Sequence, residues 1–245
     1  MWRQFQGSAV HCIKRAAVAQ LHQSIEGEAL LLRVYLAGEE YAENDALLGR
    51  LKALGPAWLS DGMERHLADE RRHAALLRAR LEELGTDPEA HLPGGVDGLE
   101  AGKLRRLRAI VTTHAKEFEA GERIPLLAVA ARMEAMSVRI FLRHLEVLEA
   151  WERAGGAPHP TAELLRSVVK DEQRHVRGCE MAIERLVKPR EREALVALGA
   201  RIEAIERRGA TAGAMALWVA GVALRLHQAG ANLQPFRQSR REEAA

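Results

Sequence analysis

Six residues carry the chemistry this sequence offers: Glu28, Glu70, His73, Glu134, Glu172 and His175. They occur as two separate glutamates and two Glu-x-x-His pairs. Residues three apart share a helix face, so each pair aims a carboxylate and an imidazole in one direction. Such donors suit divalent iron or manganese. Four carboxylates bring four negative charges, which two divalent cations neutralise. His66 stands on the same face, in the pattern His-x-x-x-Glu-x-x-His formed by His66, Glu70 and His73. It is read either as a seventh ligand or as a core or rim histidine bonded to a neighbour.

The elements that must position these groups are helical. Ala, Leu, Glu and Arg dominate, and aromatic residues are 4% of the chain, which favours helix over sheet. The spacing predicts a first long helix over about 8–44, capped by Ser8, and a short segment over 46–54 closed by Gly55-Pro56. A second long helix covers about 56–84 and ends at Gly85. Prolines 88 and 93 and glycines 94, 95, 98 and 102 mark 86–102 as a loop. Helices over about 103–119, 123–154 and 162–187 follow, the last capped by Thr161, and then two more over 191–208 and 211–229.

Each long helix carries an apolar stripe at positions three and four apart. The stripes are Val18, Leu21, Ile25, Glu28, Leu32, Tyr35; Met63, His66, Glu70, His73, Leu77, Leu81, Leu84; Leu127, Ala131, Glu134, Val138, Phe141, Leu145, Leu148; and Leu165, Val168, Glu172, His175, Cys179, Leu186. A glutamate interrupts each one. An unpaired buried carboxylate costs several kcal/mol, so four of them call for a shared partner. Helix rise supports their meeting: Glu28 to Asn44 is roughly 24 Å out, and Pro56 to Glu70 roughly 21 Å back.

The chain also repeats itself. The segment 28–36 matches 134–142, with Arg33 opposite Arg139, and Asp69-Glu70-Arg71-Arg72-His73 matches Asp171-Glu172-Gln173-Arg174-His175. The reading is one all-α domain over 1–245. It has a first hairpin (8–85), a crossover with a helix (86–121), a second hairpin (122–188), C-terminal helices (189–230) and a tail (231–245).

The charge balance, 36 basic against 34 acidic residues, leaves no basic field for nucleic acid. The two cysteines, Cys12 and Cys179, form no Cys-x-x-Cys motif, which excludes a rubredoxin-type iron site or zinc ribbon. Two free thiols are expected rather than a disulfide. No apolar leader is visible at the N-terminus, so a cytoplasmic location is expected. The apolar run 210–224 falls short of the ~20 residues of a membrane span, so no transmembrane helix is expected; peripheral membrane contact is the minor alternative. A homodimer through this apolar C-terminal helix is a further expectation.

With these residues in hand, the chain resembles the ferritin-like di-metal carboxylate superfamily over about 18–186. Two glutamates plus two Glu-x-x-His sets are the ligand list of its di-iron and di-manganese four-helix bundles. The resemblance implies an internally duplicated ferritin-like bundle with two iron ions, or a Mn/Fe pair, as cofactor. Glu70 and Glu172 would bridge the metals, Glu28 and Glu134 would be terminal ligands, and His73 and His175 would give one nitrogen each. Asp69 and Asp171 would hydrogen-bond ligand histidines. Tyr35 would stand beside the site, as a radical or hydrogen-bonding residue or as a core aromatic.

Gly27-Glu28 with Arg33-Val34-Tyr35 resembles the first helix of rubrerythrins and demethoxyubiquinone hydroxylases. Rubrerythrins carry a further glutamate where this chain has Ala131, and usually a rubredoxin module. The hydroxylases are shorter between their first two ligands. The His66 pattern resembles the extra-histidine helix of di-iron arylamine N-oxygenases, where it lies in the second hairpin. What the resemblance implies is an oxidoreductase that activates O2 or peroxide with the same six residues and oxidises or oxygenates a small organic substrate. Ferroxidase or peroxidase work in iron or oxidative-stress handling is the second reading, and a metal-free structural or partner-binding bundle the third.

Overall fold

A computed structural model describes residues 9–44, 46–90 and 96–242. Among the described residues the chain is helical, with no strand: α1 (Ala9–Leu21), α2 (Ile25–Asn44), α3 (Ala46–Leu54), α4 (Ala57–Glu83), α5 (Val96–His114), α6 (Arg123–Arg153), α7 (Pro160–Leu186) and α8 (Arg192–Glu242). Single 3-10 turns at Ala115–Glu117 and Pro189–Glu191 lead into α6 and α8.

The expected first helix is two helices. Ser24 Oγ accepts the Gly27 N–H at 3.1 Å and starts α2 afresh. The turn brings the Leu21 carbonyl against Gly27: a Cβ there would lie 1.9 Å from that oxygen, so only glycine fits. The expected cap Ser8 lies outside the described residues. α4 ends as its sequence implies. Gly85 adopts φ +69, its N–H reaches the Glu82 carbonyl, and the Thr86 N–H reaches the Leu81 carbonyl, the hydrogen-bond pair of a Schellman cap. α5 starts at Val96 rather than near 103, taking in Gly98 and Gly102; Pro93, Gly94 and Gly95 lie outside the described residues.

At α7 the cap is His159, whose Nδ1 accepts the Thr161 N–H at 3.3 Å; the Thr161 hydroxyl turns elsewhere. α8 replaces two expected helices and the expected tail. Gly209 costs a helix about 1 kcal/mol, but the alanine-rich flanks and packing on α5 carry the helix through. With no break at Gly209, α8 is the one helix among the described residues long and apolar enough, by length and composition, to cross a membrane.

α2 packs on α4, α6 on α7 and α4 on α7, while α8 lies along α1 and α5. Among the described residues, the buried apolar side chains form two clusters. One gathers Met63 and Leu67 of α4, Ile124–Ala130 of α6 and Cys179–Ile183 of α7, with α3, α5 and α8 around them. The other gathers Leu30–Leu36 of α2, Ala74–Leu81 of α4, Phe141–Leu148 of α6 and Ala162–Val169 of α7. On α4, α6 and α7 the residues between the two clusters are Glu70 and His73, Glu134, and Glu172 and His175. The polar groups thus form a layer between two apolar ones.

Candidate metal centre

Two groups of donors occupy that layer. His66, Glu70, Glu134 and His175 form one; Glu39, Glu70, His73 and Glu172 form the other. Within each group one donor atom per residue lies within 4.8 Å of the rest, and all seven residues are buried. Glu70 belongs to both. Five of the six residues singled out by sequence therefore come together, joined by His66. Glu172 falls in only one group, whereas its resemblance-based role was to bridge.

Glu28 does not join them. It sits about 16 Å along α2 from Glu39, accepting hydrogen bonds from Arg80 at 3.1 Å and from the Thr161 hydroxyl. The cause is α3. Reckoning the height of Glu28 only as far as Asn44 omits α3, which packs on α4 and α6. If α3 prolongs the outward arm, Glu39 to Leu54 is roughly 22 Å and Ala57 to Glu70 roughly 20 Å, so these two meet. By the same measure Glu28 falls near the far end of α4, where Arg80 is found.

Glu39 was missed in the sequence, although a signal existed: continuing the first stripe four residues beyond Tyr35 reaches it. Its neighbour Glu40, partly exposed, pairs with Arg78. Tyr35 is one turn before Glu39, but its hydroxyl lies 3.2 Å from His144 Nδ1 rather than on a residue of the cluster. Burial pushes its pKa up.

The inner atoms converge without pairing. Glu70 Oε1 lies 3.1 Å from His66 Nε2 and 3.2 Å from His175 Nδ1, and Glu172 Oε1 lies 3.2 Å from His73 Nδ1. Yet Glu70 Oε1, Glu172 Oε1 and His175 Nδ1 are buried with no hydrogen bond. Such orphaned atoms are rare in a folded interior, and each costs about 1–3 kcal/mol. Cations held by the two groups would satisfy all three.

The outer ring nitrogens are held crosswise between the hairpins. His73 Nε2 meets Asp171 at 3.4 Å, and His175 Nε2 meets Asp69 at 3.1 Å. This leaves both Nδ1 atoms facing the cluster. The aspartates are the pair expected from the sequence, each serving the histidine of the other hairpin. Arg72 and Arg174 each reach both of them. For both aspartates burial works upward, but these guanidiniums and the histidines hold the carboxyls below the usual range.

Burial, followed by the nearby carboxylates, raises Glu39 and Glu172 well above the usual range. At Glu70 burial is outweighed by the approach of His175, His66 and Glu39, and the carboxyl stays ionised. Glu134 is likewise lowered, against burial and the Glu70 charge, by Glu172 and His66. His66 is pushed up to about 10: burial opposes its charge, but Glu134, 3.1 Å away, and Glu70 favour it. Crowded carboxylates that share protons are a site built for more positive charge than the side chains supply. Cys12 and Cys179 are free thiols, Cys12 exposed and Cys179 buried.

No protein-family model, no curated protein and no solved structure matches the chain. The class of protein therefore rests on the fold and the site: an all-helical chain with buried His/Glu clusters able to hold a metal ion.

Proposed function

We propose that α2, α4, α6 and α7 form a ferritin-like bundle around a pair of transition-metal ions, and that the protein is a di-iron, or Mn/Fe, oxidoreductase acting with O2 or peroxide. The observation that carries this reading is Glu70, common to two four-residue groups, as a carboxylate shared by two ions requires. Glu134, His175 and His66 would complete one ion's ligands, and Glu39, His73 and Glu172 the other's. When bound, such a pair supplies redox equivalents and a Lewis acid for dioxygen or peroxide.

The chain's own residues do the rest. Asp69 and Asp171 fix the rings of His175 and His73 so that Nδ1 faces inward. Arg72 and Arg174 keep those aspartates charged. The two apolar layers keep bulk water from the polar one. A purely structural bundle would leave the three orphaned atoms unexplained.

The cleft that α5 and α8 form with α6 is lined by Lys103, Arg132, Met133, Met136 and Glu206 among others, and has about 250 Å³ of non-protein space, part of it open to solvent. Oxygen uptake with Fe(II) alone would favour the second reading, ferroxidase or peroxidase turnover, over oxygenation of an organic substrate.

The test is anaerobic loading with Fe(II), then oxygen. The wild type is expected to hold two ions in the cluster and to consume oxygen with Fe(II) alone, and Glu70→Ala to lose both properties. Iron binding and oxygen uptake that survive Glu70→Ala would refute the assignment.

A further inference from the structure

A second set of donors lies at the helical break. His22 sits in the turn between α1 and α2, Glu28 in the first turn of α2, and His159 at the cap of α7. One donor atom from each lies within 4.8 Å of the others. Glu28 is buried and the two histidines are partly so. The set is about 16 Å along α2 from Glu39, too far to share an ion with the central cluster.

The surrounding hydrogen bonds leave suitable atoms free. Arg80 and the Thr161 hydroxyl both donate to Glu28 Oε1, so Oε2 remains, 3.8 Å from His159 Nε2. That separation is too long for a hydrogen bond. It is near the roughly 3.3 Å between donors around a tetrahedral ion with bonds of about 2.0–2.1 Å. His22 Nδ1 lies 3.5 Å from His144 Nε2, and His144 Nδ1 lies 3.2 Å from the Tyr35 hydroxyl. With Nδ1–H donated along this chain, His22 Nε2 keeps its lone pair, as in ligating histidines that donate their other N–H outward.

His159 Nδ1 accepts the Thr161 N–H at 3.3 Å; ligation through Nε2 puts a proton on Nδ1 and exchanges that long bond for a metal bond. Burial lowers both imidazoles, His22 to about 4, so both are neutral at pH 7. Arg80, which pairs with Glu28, is shared with the exposed Glu83.

We propose that His22, Glu28 and His159 bind a single divalent cation of the zinc class, with a fourth position open to water, and that this ion fastens the α1–α2 turn to the α6–α7 loop. Two imidazoles and one carboxylate are a zinc donor set. No sequence signal marks it, because the three residues span 138 positions and have no fixed spacing.

The test titrates the metal-stripped full-length chain with Zn²⁺, and with Co²⁺ for its visible spectrum. Wild type, His159→Gln, Glu28→Gln and Glu70→Ala are compared, with helicity measured by circular dichroism. One equivalent, with a four-coordinate Co²⁺ band, is expected to persist in Glu70→Ala and to be lost or weakened at least tenfold in His159→Gln and Glu28→Gln. This equivalent does not depend on the central cluster. If the di-metal reading fails, the wild type still takes it up, with the same loss in the same two variants. His22→Gln, at a partly exposed turn, replaces either variant that loses helicity. Equal zinc uptake by the wild type and His159→Gln, or zinc lost from Glu70→Ala alone, overturns the proposal.

Discussion

Glu39→Gln is the substitution that separates the tertiary arrangement from the linear pattern. Glu39 is 4% exposed, and burial and the Glu70 charge keep a proton on it. Its Oε2 lies 3.3 Å from His73 Nδ1, a contact the protonated carboxyl makes as donor. Glutamine has the same shape and can donate the same bond, so metal-free stability should move by less than about 1 kcal/mol. On the proposed di-metal reading, the loaded protein is expected to behave differently. At ion concentrations about 100 times Kd, each ion adds about 2.7 kcal/mol, and two add about 5. For a chain of this size each kcal/mol moves Tm by about 2–4 °C, so filling the cluster raises Tm by about 10–20 °C. Glu39→Gln should lose about half of that rise and one of the two ions, and Glu40→Gln should lose neither. Calorimetry with and without Fe(II), together with iron analysis, measures both quantities. Two cluster ions and the full rise in Glu39→Gln would refute the reasoning.

Two other variants test the packing. Lys14 is lowered to about 8, first by burial and then by Arg143. Its folded value is below the unfolded 10.5, so its charge destabilises the fold fully below pH 8, and the effect fades as pH rises toward 10.5. Lys14→Met should therefore stabilise by about 2 kcal/mol at pH 7, allowing for partial exposure, and the gain should shrink above pH 8 in urea melts. Gly27→Ala places a methyl 1.9 Å from the Leu21 carbonyl, which cannot move without opening the α1–α2 turn, and should cost about 3 kcal/mol in the same melts.

Much of this protein is written locally. The stripes of α4, α6 and α7, the Gly85 cap and the Glu-x-x-His faces follow from periodicity and capping chemistry, because helical neighbours lie three and four residues apart whatever the chain does elsewhere. The polar layer was legible for the same reason: a carboxylate in an apolar stripe needs a partner. The exchange of Glu28 for Glu39 was not, because the likeness of 28–36 to 134–142 compares sequences, whereas the height of a residue depends on how α3 is stacked. Gly209 misled in the opposite sense: a weak local breaker is overridden by the packing of α8 on α1 and α5. The sequence by itself determined which residue types face inward, and hence that metal chemistry is on offer. Only the tertiary structure decided which glutamate completes the cluster, which aspartate orients which histidine, and that His22, Glu28 and His159 meet at all, since those pairings are set by contacts between helices far apart in the chain.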